Sequence, residues 1–367
     1  MHDRELFEKA FSPLHASPDT LTEVRKTMRN EKKTRRALGK SAVVAIAAAL
    51  TLTIAVAGGI VTLIRADVSP ADKVDDTTHH AFTDDIDAAT PVVDDGKGSL
   101  VPVPDMERIP GDIQTTQRLV GKYLSKLDAE MTVEGNTIRL GTLLIDESGS
   151  GMLTYSVENP DGVKYTDAGY GEAVDMSAEP SMWLDSAPDA QGYGGTCISS
   201  RCHVDEDAST DTRLQVVLYF AAGRDFQKGD DFYFTVCDSA NQPYSIAIQP
   251  QTYVPVKTLT AKNGELVTLS ALGMTVVNPD PSREMHTDEV LINAKDGNSF
   301  AVESSSKNLM NWVIGSITGD GQAAFENYTY VFNRLVDVNE VGSVMLTGYY
   351  YNLDGSDNDT VSLTYQP

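Results

Sequence analysis

Hydrophobic and polar positions divide the chain into stretches with different periods. From Ser41 to Ile64 it reads SAVVAIAAALTLTIAVAGGIVTLI, 24 residues without Asp, Glu, Lys, Arg, His, Asn or Gln. A helix of that length rises about 36 Å at ~1.5 Å per residue, enough to cross a hydrocarbon core of about 30 Å with some tilt. In lipid a single segment satisfies its backbone only as a helix. The pattern therefore predicts one transmembrane helix over 41–64. A core helix or a cleaved signal peptide fits less well: core helices seldom lack polar residues for so long, and a signal peptide follows a short basic leader. Here some 40 residues with helical patterning come first.

Those residues, 1–40, read as a short helical tail in two amphipathic pieces. Leu6, Phe7, Ala10 and Phe11 share one helical face, and Pro13 ends or kinks that helix. The second piece opens with Ser17 as N-cap, Pro18 as first helical residue and Asp19 against the positive helix end, and puts Leu21, Val24 and Met28 on one side. So short a tail closes no core of its own. Its apolar positions Leu6, Phe7, Phe11, Leu14, Leu21, Val24 and Met28 are the candidate partner-binding residues. They dock as helices in a partner's groove, or rest on the inner leaflet of a membrane as part of a topogenic tail.

Beyond the apolar run the pattern changes again. Residues 65–105, rich in Asp, Thr, Ala and Pro, hold no lasting period and read as an acidic disordered linker, with His79 and His80 solvated among Asp pairs. Asp112 to Leu127 has the spacing of one amphipathic helix, with Ile113, Leu119, Val120, Tyr123, Leu124 and Leu127 on one side. Short alternating runs separated by turn residues follow. MTV and TIRLGTLLID flank Glu134-Gly135-Asn136, and LQVVLYFAA and DFYFTVCD flank Lys228-Gly229-Asp230. Asn263-Gly264 and Asp296-Gly297 mark hairpins further on. The predicted class is mainly β: two β-sandwich-like domains, 106–253 with the leading helix and 254–367 of immunoglobulin-like kind without the tryptophan and cysteine pattern of true immunoglobulin domains.

Charge adds orientation. Residues 1–40 hold ten Lys or Arg against six Asp or Glu, which leaves 19 of the 29 basic and 47 of the 53 acidic residues for 65–367. The basic flank places the N-terminus in the cytoplasm and the β-domains outside the cell membrane. An acidic exterior argues against direct nucleic-acid binding. Cys197, Cys202 and Cys237 all fall outside, where disulfides persist. A local Cys197–Cys202 pair is the leading arrangement, with Cys237 a buried free thiol; a bond to Cys237 or three free thiols are the alternatives.

The segment LFEKAFSPLHASPDTLTEV, followed by a basic stretch, one span and a β-rich exterior, resembles the membrane-anchored anti-sigma factors that accompany extracytoplasmic-function sigma factors in Gram-positive bacteria. The resemblance implies that the tail sequesters a cytoplasmic sigma factor. It also implies that the exterior senses or gates release, by cleavage in the linker and then in the span near Gly58-Gly59. The tail has no Cys and only His2 and His15, so the zinc-containing anti-sigma fold is not carried over.

Catalytic patterns are missing from the sequence. His203 and His286 sit in no Ser/His/Asp context, and there is no Walker loop, dinucleotide fingerprint or HExxH. Asp354, Asp357 and Asp359 lack calcium-loop spacing and read as a solvated turn. No enzyme activity, cofactor or metal is expected, and the extracellular ligand stays open. The alternative to signalling is a surface-exposed structural or adhesive protein whose β-domains bind a wall polymer or host molecule.

Overall fold

The computed structural model describes residues 52–56, 59–83, 92–94, 100–102, 111–163, 166–167, 172–173, 182–185, 199–222, 226–240, 242–320, 323–350 and 359–367. The tail 1–40 and the first part of the apolar run lie outside them. In the N-terminal half the strands are β1 (Leu52–Val56), β2 (Gly59–Arg65), β3 (Asp67–Pro70), β4 (Val92–Asp94), β5 (Leu100–Pro102), β6 (Ser125–Asp128), β7 (Glu130–Val133), β8 (Asn136–Ile145) and β9 (Ser150–Glu158). There follow β10 (Thr166–Asp167), β11 (Glu172–Ala173), β12 (Met182–Asp185), β13 (Ser199–Val204), β14 (Arg213–Ala221), β15 (Phe232–Cys237) and β16 (Pro243–Ile248). Helix α1 (Asp76–Thr83) lies between β3 and β4, and α2 (Ile113–Val120) precedes β6.

These elements build a first β-domain of two packed sheets. One has the order β1-β2-β16-β15-β12 and the other β13-β14-β9-β8-β6-β3, with β7 also on β8. Their facing side chains form one core, in which the Tyr155 and Phe234 rings stand 5.1 Å apart and those of Phe220 and Phe232 5.6 Å apart. The larger sheet is buried on its other face too. Met152, Val217, Tyr219 and Ala221 point away from the first core into a second cluster with Val74, Ala81 and Phe82 near α1, Val120 of α2, and Ala271, Leu272 and Val331 from the C-terminal half.

That half contains β17 (Lys257–Ala261), β18 (Leu266–Leu269), β19 (Gly273–Val277), β20 (Met285–Ala294), β21 (Ser299–Ser304) and β22 (Leu309–Met310). It ends with β23 (Trp312–Asp320), β24 (Ala323–Phe332), β25 (Val341–Tyr350) and β26 (Asp359–Gln366). The order β22-β21-β20-β25-β26-β17-β18-β19-β24-β23 wraps into a near-closed sandwich around its own core. Its two end strands are joined through Asn311, whose amide donates to Val302 O at 2.8 Å. Gly264 and Gly297, both at φ +92°, make the turns that Asn263-Gly264 and Asp296-Gly297 announced.

Mainly β architecture in sandwich-like domains is therefore observed, and four expectations need correction. Over the described part of the apolar run the backbone is extended, not helical. β1 and β2 form an antiparallel hairpin from Leu52↔Leu63 to Val56↔Gly59, and β2 lies parallel to β16. Thr53, Ile54, Val56, Ile60, Val61, Thr62 and Ile64 are β-branched and favour strands when a sheet edge such as β16 is at hand. No helix among the described residues is long and apolar enough to cross a membrane.

The first stretch of the expected disordered linker is ordered: β3 pairs with β6, and α1 docks on the larger sheet. The expected helix from Asp112 to Leu127 stops at Val120, passes through a 3₁₀ turn at Gly121–Tyr123 and becomes β6. Asp112 caps it, accepting from the Thr115 amide at 2.9 Å. Finally, LQVVLYFAA and DFYFTVCD are not hairpin partners. β14 lies in the seven-stranded sheet and β15 in the five-stranded one, so the chain crosses the core between them.

Candidate functional site

A buried polar network lies where the entering segment, the seven-stranded sheet and the C-terminal sandwich meet. It begins with a bulge in β8. Pairing with β9 shifts register between Leu140 and Leu143, leaving Gly141 and Thr142 outside the ladder. A Cβ on Gly141 would come within 2.4 Å of Thr154 Oγ1, so only glycine lets that hydroxyl approach. The Thr142 amide donates to Thr154 Oγ1 at 2.8 Å, and the Thr142 and Thr154 hydroxyls are 2.9 Å apart. Thr142 Oγ1 then meets Thr78 Oγ1 of α1 at 2.9 Å. All three threonines are buried, so an amide released by the bulge is satisfied by a hydroxyl relay that ends on α1.

Helix α1 is held at further points. Asp75 caps it, accepting from the Thr78 amide at 2.7 Å, and the Val74 amide donates to Gln117 Oε1 of α2 at 2.9 Å. His79 Nδ1 lies 3.1 Å from Thr116 Oγ1, and His80 Nδ1 lies 3.3 Å from Asp205 Oδ2. The Tyr219 hydroxyl donates to the Ala81 carbonyl. Beneath these bonds Phe82 and Val74 are buried, each worth on the order of 1.5–3 kcal/mol of apolar transfer.

On the other side of the same sheet's rim, Asp146 joins the two domains. It is 1% exposed. Its Oδ1 accepts from the Ser148 amide at 2.9 Å, the Ser148 hydroxyl at 2.7 Å and the Ser150 amide at 2.9 Å. Its Oδ2 accepts from Ser270 Oγ of the second domain at 2.6 Å. Ser270 Oγ in turn accepts from the Leu272 and Gly273 amides at 3.0 and 3.1 Å. Burial pushes the Asp146 carboxyl above its ordinary 3.8, against the pull of these donors. A carboxylate so fully occupied is a pin between turns rather than a general base.

Nearby, Arg118 of α2 pairs with Asp337 at 2.7 Å beside a cavity of about 130 Å³ lined by Leu119, Tyr123, Val254, Ala271 and Val336. Burial works against the Asp337 carboxylate, but Arg118 and the Asn339 amide outweigh it and hold its pKa below 3.8.

No family model matches the chain, and no curated protein matches it either. A solved structure of zebrafish RET cadherin-like domains 1 to 4 aligns over 76% of this chain at 11% identity and a TM-score of 0.17. The chain covers 63% of that structure, less than two thirds, and a likeness so low carries no argument.

Leu6, Phe7, Phe11, Leu14, Leu21, Val24 and Met28 lie outside the described residues, as do Cys197, Asp354 and Asp357. Cys202 is a free thiol here, 3.5 Å from the Tyr155 hydroxyl, and burial pushes it up to about 11. Cys237 is a buried free thiol. Asp359 pairs with Arg283 at 2.8 Å. Among the described residues no group of three or more His, Cys, Asp or Glu is placed to hold a metal ion.

The junction itself was missed in the sequence. Val74, Thr78, Ala81 and Phe82 have i, i+4, i+7, i+8 spacing, a helical face hidden by the surrounding acidity. Asp146 before Ser148-Gly149-Ser150 carries the turn signature of an Asp whose side chain bonds the backbone two residues on.

Proposed function

We propose that the chain is a single-pass membrane anti-sigma factor whose cytoplasmic tail sequesters an extracytoplasmic-function sigma factor, while the exterior β-domains sense or gate its release. The observation that carries this reading is the tail. Its two apolar helical faces, LFEKAF and LTEV, have no core of their own and stand before a basic flank and an apolar run. In this reading the run crosses the bilayer as a helix, because hydrocarbon offers its backbone no other partner. Residues 52–56 and 59–65 are strands in the structure, so this reading requires that stretch to leave the edge of β16 and become helical in the bilayer.

The test is transcription. Two docked aromatic anchors contribute on the order of 1.5–3 kcal/mol each, so losing both weakens tail binding about a hundredfold or more. Phe7→Ala with Phe11→Ala raises transcription from the cognate sigma-dependent promoter, leaves membrane insertion unchanged, and abolishes retention of the purified sigma factor by residues 1–40. If no transcript changes and the unsubstituted tail retains no sigma factor, the anti-sigma reading fails and the adhesive surface protein stands in its place.

A further inference from the structure

We infer that the segment Asp67–Thr83 is a non-covalently retained part of the first β-domain, so that one cut on the C-terminal side of α1 does not free the N-terminal portion from the β-domains. The segment contributes at two separate places in the sheet. β3 pairs with β6 from Asp67↔Asp128 to Pro70↔Ser125, and the Ala71 amide donates to Leu124 O at 3.0 Å. Nine residues after Asp67, α1 begins on the face that the β8 bulge prepares, with Thr78 completing the hydroxyl relay of Thr142 and Thr154.

Retention follows from what removal would leave. Without α1, the Thr142 hydroxyl loses Thr78, the Tyr219 hydroxyl loses the Ala81 carbonyl, and Asp205 loses His80. Val120, Leu144, Met152, Val217 and Tyr219 lose the cover of Val74, Ala81 and Phe82. Uncovering buried polar groups and apolar side chains together is costly. A segment held this way behaves as a docked strand and helix rather than as a tether.

The consequence for signalling rests on the proposed function. If the exterior gates a cytoplasmic tail, a cut after α1 alone sends no signal, because the segment nearest the membrane stays seated. Release then requires that the segment be drawn out of the first domain or that the domain itself open.

The experiment uses the full chain, purified in detergent, with the recognition sequence of a site-specific protease inserted between Ala88 and Ala89. After cleavage in native buffer, the fragment ending at Ala88 and the fragment containing the β-domains are expected to elute together, and to separate only in denaturing urea. The C-terminal fragment lacks the apolar run, so a shared detergent micelle does not explain co-elution. Phe82→Ala is expected to weaken the association about ten- to a hundredfold. Circular dichroism of the uncut variant shows whether it folded; if it did not, Thr78→Val, which removes one hydroxyl of the relay, takes its place and is expected to raise the dissociated fraction.

Separation of the unsubstituted fragments in native buffer overturns the inference. So does association that neither variant weakens. Either result leaves the sigma-factor test on residues 1–40 untouched, and failure of that test leaves this one readable.

Discussion

The two β-domains are built from similar strands and use them differently. In the C-terminal sandwich, β26 alternates: Val361, Leu363 and Tyr365 face the core while Ser362, Thr364 and Gln366 face out. In the first domain, β9 is buried at almost every position, because its sheet packs on the five-stranded sheet on one side and on the helices and the second domain on the other. The difference teaches that the central layer of the molecule is the seven-stranded sheet. The second domain is joined to it as a covering layer, so the two do not behave as beads on a string.

Adjacent substitutions test this contrast most strongly. Met152→Ala and Leu153→Ala point to opposite faces of β9, and each is expected to cost about 2–5 kcal/mol in urea unfolding. In β26, Leu363→Ala is expected to cost about 2 kcal/mol or more, and Thr364→Ala to stay within about 0.5 kcal/mol. Equal tolerance at Met152 and Thr364 would break the comparison.

The pin between the domains comes next. Asp146→Ala strands the Ser148, Ser150 and Ser270 donors and is expected to cost about 2–4 kcal/mol. Because the folded-state carboxyl lies above its ordinary 3.8, the fold binds the proton more readily than the unfolded chain does. Stability owed to this group is thus greatest in acid and is lost as pH rises through the folded-state pKa. Urea titrations at falling pH should therefore favour the unsubstituted chain progressively over Asp146→Asn.

Cys202 sharpens the picture inside the first core. Raising its thiol from 9.0 to about 11 leaves roughly a hundredfold less thiolate at pH 8. Iodoacetamide should accordingly label it about a hundredfold more slowly in the native chain than after unfolding. The smallest effect is expected at the rim: Arg118→Ala removes an ion pair whose arginine is 60% exposed, for about 0–1 kcal/mol in the same unfolding assay.

Legibility in the sequence followed the same division. In the C-terminal half β26 alternates between buried and exposed positions along Thr360–Gln366, and the Asn-Gly and Asp-Gly turns stand where expected. Of Leu214, Val216, Leu218 and Phe220 the period was readable, but Val217, Tyr219 and Ala221 on the other side gave no hint that a second layer would cover them. A continuous apolar run also fits helix and strand alike, so its pattern did not separate the two at Gly59–Arg65. The junction was illegible for a different reason. Its parts Thr78, Thr142, Thr154, Asp146 and Ser270 are ordinary polar residues scattered over nearly 200 positions, and only the bulge and the turns bring them together.

The closure of the C-terminal sandwich is lopsided. On one side the sheets are joined by covalent chain through Asn311; on the other β17 and β26 share just Thr260↔Gln366 and Ala261↔Tyr365, beside an open cleft of about 660 Å³. Its stiffness is therefore anisotropic. The domain resembles a book with a sewn spine and a light clasp, and bending is expected to concentrate at the clasp, where amide protons should exchange early and a load on the last strand should begin to peel it away.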